Sequence, residues 1–397
     1  MTTNLFHRIT GFTLLALLVL AGAGCRKTEF GNIDSPAFIR VFNCLERDVT
    51  LDNKDAPQPF LTMLIDPVMD KDGIPGSADI TGDFLDTRDS WARPYPDAGN
   101  TSIYQKEYPG SAKVRAAPFL NGYDLSSWAQ VTSGKRRIMF FARPLNETPF
   151  FSLDKNLRRT VLLDTTVDLQ FNEVYTMHVL EKNYTTRKTG LYVRNETFVR
   201  QSLSDSLVYV NFYNLSSEGF FANSPDTKSS SRSFKITDTT NVFYTLHMIP
   251  TTNTFRDIPG FIQQPMGSMI RSHENKVTPY YSFPLFADTS SNKIYPGNTA
   301  QTFEFLKPGY TMGTSANPSS SQLPVGYYAG LHIGPYNNGA GGRHSMRVIA
   351  DIRSGLIVTE RSGIYNPRYF ATVNTIEYIN DRCFVTTIQR KFDPPIY

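Results

Sequence analysis

Apolar and polar residues alternate with a period of two along most of this chain, in short runs separated by Gly, Pro, Asn and Asp. Alternation at that period puts successive side chains on opposite faces of a strand, whereas a helix repeats its apolar positions every three to four residues. The pattern predicts strands at Phe38–Cys44, Phe60–Ile65, Ala112–Ala117, Arg137–Arg143, Thr160–Leu169 and Glu173–Leu180. It predicts further strands at Leu207–Leu215, Val242–Ile249, Thr302–Phe305, Tyr327–Ile333, Ser345–Ile352, Gly355–Thr359, Tyr369–Tyr378 and Cys383–Gln389. Past the N-terminal segment no convincing helical periodicity extends beyond ten residues. Many short strands with turn signals between them point to an all-β fold of sandwiches or barrels.

Two stretches echo one another. Ile39-Arg40-Val41-Phe42-Asn43-Cys44-Leu45 reads like Val210-Asn211-Phe212-Tyr213-Asn214-Leu215, each with an aromatic and then Asn before an apolar residue. Glu173 to Val179 likewise reads like Arg368 to Val373, with Tyr175 matched to Tyr369. The echo predicts two tandem antiparallel β-sandwich modules, residues 37–203 and 204–397.

The first 24 residues read differently. His7 and Arg8 give a short basic start, Gly11 to Ala23 is apolar, and Ala21-Gly22-Ala23-Gly24 precedes Cys25. A basic start, a short apolar core and a small-residue site make a secretory signal. The apolar run falls short of the roughly 20 residues that a spanning helix needs. This stretch resembles the lipobox of bacterial lipoproteins, with Gly22 standing where Leu, Val or Ile is usual. The resemblance implies cleavage before Cys25 and lipidation of its thiol, with residues 25–36 as a tether. Two acyl chains suffice for stable anchoring, since each buried methylene contributes roughly 0.8 kcal/mol. The expected address is the outer membrane. Arg26, Lys27 and Glu29 leave open whether the modules face the cell surface or the periplasm.

Tyr108-Pro109-Gly110-Ser111 and Thr132-Ser133-Gly134-Lys135 fit hairpin turns, and Leu169 to Thr176 makes another turn-then-strand unit. With the Asn-ending strand at residues 37–44, this succession resembles a family of lipoprotein modules of unknown function with an Ig-like or transthyretin-like sandwich. The resemblance implies a lipid-anchored β-sandwich protein and no particular chemistry.

Composition narrows the partners. The net charge of the whole chain is +4, and removing residues 1–24 takes away Arg8 and no acid. So even a balance, without a Lys/Arg run, argues against nucleic acid. Two cysteines remain beyond Cys25, Cys44 and Cys383, both in strand-like contexts. Export permits a disulfide between them, and two separate buried thiols are the other reading.

Candidate chemistry is sparse. Asp70-Lys71-Asp72-Gly73 through Asp79 resembles a single calcium loop of the thrombospondin type-3 kind, with Asp70, Asp72 and Asp79 as ligands; the other reading is a solvated loop. Trp91 and Trp128, with Tyr280, Tyr281, Tyr327 and Tyr328, are candidate platforms for a sugar ring, against the alternative of core packing. Ser152 with Lys155 and Lys188-Thr189-Gly190 match fragments of the penicillin-recognising motifs, but without the helical context or an S-D-N element. The histidines, His178 and His247 among them, show no metal spacing. No catalytic set is legible, so the expectation is a non-enzymatic, lipid-anchored envelope protein that binds a glycan or a protein partner. The alternative is a pilus-type structural subunit whose detachable strand is Cys383–Gln389, and a third reading is an enzyme whose residues meet only in the fold.

Overall fold

The computed structural model describes residues 33–45, 51–52, 58–85, 105–107, 113–144, 146, 148–223, 237–251, 254–284, 287–288, 293–294, 299–310, 327–335, 344–349, 353–360, 371–380 and 382–390. Strands dominate them. β1 (Pro36–Asn43), β2 (Gln58–Met69) and β3 (Pro75–Leu85) come first. Two small ribbons follow, β4 (Gln105–Glu107) with β5 (Lys113–Arg115), and β6 (Phe119–Leu120) with β7 (Tyr123–Asp124). Next are β8 (Ala129–Thr132), β9 (Gly134–Arg143), β10 (Val161–Leu169), β11 (Val174–Asn183) and β12 (Lys188–Asn195). Then come β13 (Leu207–Asn214), β14 (Thr239–Thr251), β15 (Thr254–Asp257), β16 (Gln264–Ile270), β17 (Tyr281–Pro284), and a ribbon of β18 (Ala287–Asp288) and β19 (Lys293–Ile294). The rest are β20 (Thr299–Leu306), β21 (Tyr327–Pro335), β22 (His344–Ile349), β23 (Arg353–Glu360), β24 (Thr372–Ile379) and β25 (Arg382–Gln389).

These strands build four main sheets within one unit, Ser35–Tyr397. The first inner sheet has the order β12-β11-β1-β8 and the first outer sheet β10-β9-β2-β3. The second inner sheet is β17-β13-β24-β25-β23, and the second outer sheet is β15-β14-β20-β21-β22 with β16 also paired to β14. Alternate residues decide the layering. Ile39, Val41, Tyr175 and Met177 pack with Leu61, Met63, Ile138 and Phe140 of the first outer sheet. Val210, Phe212, Ile376 and Val385 pack with Val242, Leu246, Phe303 and Phe305 of the second. The intervening positions make a third core. Phe38, Trp128 and Val174 meet Val373 and Ile388, while Phe42, Leu180 and Tyr192 meet Tyr213, Ile379 and Phe384. The two inner sheets therefore pack on each other, and the layers run outer, inner, inner, outer.

Every residue of β24 is buried, as are seven of the eight in β1 and in β25. Period-two alternation by itself predicts one wet face on such strands. Here the polar positions, Arg40, His178, Asn211, Thr375 and Glu377, lie buried in the layer between the inner sheets.

Each inner sheet also departs from purely antiparallel pairing. β1 runs parallel to β11, with Asn43 opposite Val179, and β13 runs parallel to β24, with Asn214 opposite Tyr378. A parallel pair needs a long crossover, and the outer sheet supplies most of it in each case. The Asn-ending strands do occupy equivalent places. Asn43 Oδ1 accepts from the Leu45 amide and its Nδ2 donates to the Leu85 carbonyl. Asn214 Oδ1 accepts from the Ser216 amide and its Nδ2 donates to the Thr237 carbonyl. The second echo is out of register: Tyr378, not Val373, stands where Val179 stands in the first half.

The acidic stretch from Asp70 is a loop only as far as Ile74, with φ of +71° at Gly73; from Pro75 it is strand β3. Its irregular polarity hid it from the alternation pattern. On the first outer sheet, Phe150 and Leu153 cover Leu64, Met139 and Phe141.

Candidate functional site

Of the residues singled out by sequence, Cys25, Trp91, the turn from Tyr108 to Ser111, and Tyr369 lie outside the described residues. Trp128 is fully buried between the inner sheets. The Arg40 guanidinium stacks 3.8 Å from its ring centre and Phe198 packs beside it, so it is a core residue that offers no face to a sugar. Tyr280 and Tyr281 are half-buried.

Asp70 closes the β2–β3 turn. Its Oδ1 accepts from the Asp72 and Ile74 amides, and its Oδ2 pairs with Lys155 at 2.9 Å. The Ile74 amide and then Lys155 push its carboxyl down to about 2. Asp72 and Asp79 are exposed. The structure does not bring the three together, and among the described residues no group of three His, Cys, Asp or Glu side chains could hold a metal ion. Cys44 and Cys383 are not in a disulfide; Cys44 lies between the inner sheets and Cys383 inside the second sandwich. Burial pushes the Cys383 thiol up to about 12.

The layer between the inner sheets holds a charged cluster that the sequence did not reveal. Arg194 on β12 reaches Glu196 Oε1 at 2.9 Å and Glu377 Oε1 on β24, while Glu377 Oε2 meets His178 Nε2 at 3.1 Å. Arg194 also lies 4.4 Å from the Tyr213 ring centre, and His178 stacks on Phe42. Burial alone would raise the Glu377 carboxyl; His178 and Arg194 overcome that and hold it well below the ordinary carboxylate range. This enclosed network fixes how the two inner faces meet.

The ends of the layers differ. Phe38 packs near Val373, and Phe42 near Tyr213 and Ile379, so β1 and β13 point the same way. At the start of these strands lie Ser35, the Ser133 and Asn172 turns, and the link into β13. At the far end, loops of both halves are joined. The Glu218 amide donates to the Lys182 carbonyl, the Tyr184 amide to the Glu218 carbonyl, and Ser217 Oγ to the Glu181 carbonyl. Tyr184 meets Phe220 edge to face at 5.3 Å, and the Arg187 guanidinium lies over Tyr184 at 4.4 Å. Thr185, Thr186, Arg187 and Asn223 are exposed around this pair, and Phe221 is half-buried. Tyr184 and Arg187 escaped sequence reasoning because they sit in a tight hairpin with no motif.

A second polar array lies on the second outer sheet. His247 Nδ1 is 2.8 Å from Asp257 Oδ1, and Nε2 is 2.9 Å from Thr302 Oγ1. Glu304, two residues beyond Thr302 on β20, is buried. Burial, aided by Asp257, pushes its carboxyl up to about 8.

Strand content and layering define an all-β protein of the sandwich class. No family model and no curated protein matches the chain. Among solved structures, the pilus adhesin SpaC from Lactobacillus rhamnosus GG, in its open conformation, is similar at 9% identity with a TM-score of 0.15, over 90% of this chain and 32% of that one. The chain thus spans about a third of the length of that structure.

Proposed function

We propose that this chain is a lipid-anchored protein of the cell envelope, tethered at the outer membrane through Cys25, that holds a binding surface away from the membrane for a glycan or an envelope protein. The observation that supports this reading is the common direction of β1 and β13. The chain enters β1 at one end of the layers, and the joined loops around Tyr184, Arg187 and Phe220 lie at the other. Loops held on a rigid scaffold are the usual carriers of recognition. Exposed Thr, Asn and Arg beside half-buried aromatics suit a polar partner such as a glycan.

The test is intact mass and whole-cell protease shaving in the native envelope, comparing wild type with Cys25→Ala. A diacyl or triacyl mass lost in the variant supports the anchor, and a mature mass without lipid removes it. Shaving separates a surface protein from one facing the periplasm. A glycan array and envelope pull-down should then give a hit weakened by Arg187→Ala with Phe221→Ala; no hit with either method sinks the binding reading.

A pilus-type subunit is the second reading. One observation favours it: the last strand, β25, fills a slot between β24 and β23, the arrangement that strand donation would use. Purified protein that stays monomeric after terminal processing argues against it.

A further inference from the structure

We infer that the second outer sheet carries an acyl-transfer site, in which Thr302 is the nucleophile, His247 the base, Asp257 the group that orients the base, and Glu304 a donor to the oxyanion that forms. The protonation pattern follows from the hydrogen bonds. Asp257 accepts from His247, so Nδ1 carries the imidazole proton. A neutral ring then has a bare Nε2, which can only accept, so the Thr302 hydroxyl donates to it. Burial lowers the affinity of His247 for a second proton, against the opposing pull of Asp257, and so favours that neutral ring. The three groups have the nucleophile–base–orienter geometry of hydrolytic triads. Three strands hold them, β20, β14 and β15, with Ala300 opposite His247 and Asp257 opposite it on the other side.

Glu304 completes the set. It shares a sheet face with Thr302, two residues along the strand and so about 7 Å away between Cα atoms. Across the sheet it stands opposite Phe243 on β14 and Gly330 on β21. Its Oε2 has no hydrogen-bond partner among the described residues although it is buried. Pushed up to about 8, the carboxyl keeps its proton at neutral pH and can donate it as a hydrogen bond. A carboxylate there would repel an oxyanion; a carboxylic acid stabilises one.

The chemistry balances with water as the only co-reactant. Thr302 Oγ1 adds to the carbonyl carbon of an ester and passes its proton to His247 Nε2. Collapse of the adduct breaks the ester C–O bond, and the leaving alcohol takes that proton. Water, deprotonated by the same imidazole, cleaves the acyl-threonine and restores the hydroxyl, releasing the carboxylic acid. Thr302, His247 and Glu304 are buried while the Asp257 side chain is 43% exposed, so the array comes nearest to solvent at Asp257. A buried nucleophile behind Asp257 suits a short, uncharged acyl group such as an O-acetyl ester.

The test is p-nitrophenyl acetate hydrolysis by the full chain, with circular dichroism and melting as folding controls. Expected are turnover above buffer, loss of about a hundredfold or more in Thr302→Val, retention in Thr302→Ser, and an acetylated Thr302 peptide in the quenched wild-type digest. Glu304→Gln supplies a readout that a merely structural role would not move. The wild-type rate should fall as pH rises through about 8, while the amide variant, a donor at every pH, should keep its rate. A wild-type rate equal to buffer overturns the proposal, and so does an unchanged rate in folded Thr302→Val.

Discussion

Single buried side chains set two measurable properties. Glu304 titrates ordinarily near 4.5, and in the fold at about 8. Below pH 4.5 folded and unfolded chains both hold this proton, so its burial carries no charge penalty. As pH rises toward 8 only the unfolded carboxyl ionises, and stability falls across that window by on the order of a few kcal/mol. Glu304→Gln lacks this titration, so the wild-type melting temperature should drop relative to the variant between those pH values; parallel curves would contradict it. Trp128 is the largest fully buried side chain among the described residues, with Arg40 stacked on its ring. Trp128→Ala should lower unfolding free energy in urea by about 3–5 kcal/mol without changing glycan binding. Sequence placed this residue among possible sugar platforms, because a Trp after two serines reads as exposed until a second sheet is known to cover it.

Strands carry the next set of decisions. The period-two pattern located most of the strands from Phe38 to Gln389, since alternation needs only local information. It missed β3, β4, β6, β7, β8, β12 and β15 to β19, most of which span four residues or fewer and so give too short a pattern to read. It could not give the parallel pairing of β1 with β11 and of β13 with β24, because pairing across long crossovers leaves no local trace. Strands β11, β12 and β24 also build the Arg194–Glu377–His178 network. Removing one partner from a buried ion pair leaves the other charge uncompensated, so Glu377→Ala should destabilise by about 3–5 kcal/mol in chemical denaturation. A loss under 1 kcal/mol would show the network to be dispensable. Asn43→Ala and Asn214→Ala should weaken the protein by similar amounts, about 1–3 kcal/mol each, because each amide makes the same pair of backbone bonds.

At the scale of the molecule, the two inner sheets act as each other's solvent shield. A chain ending at residue 203 would uncover Phe38, Phe42, Trp128, Val174 and Tyr192 together with His178 and Arg194. It should bind a hydrophobic dye and aggregate at concentrations where the full chain is clear, since so large an apolar face is unusual on a soluble protein. A monodisperse fragment that binds no dye would mean that the first sandwich stands alone. The candidate binding loops depend on the same packing, because Tyr184 comes from one half and Phe220 from the other.

Sequence by itself determined the strand-rich class, because side-chain alternation and turn residues are local properties. It also determined the likeness of the two Asn-ending strands, whose amides need only their own neighbours and one distant carbonyl. Only the tertiary structure decided that the polar faces of β1, β11, β24 and β25 are interior, that Arg194 meets Glu377, and that His247 lies between Asp257 and Thr302. Those partners are up to 183 residues apart along the chain. Which polar residues are buried together depends on which sheet covers which, and that is fixed by the sum of all four layers.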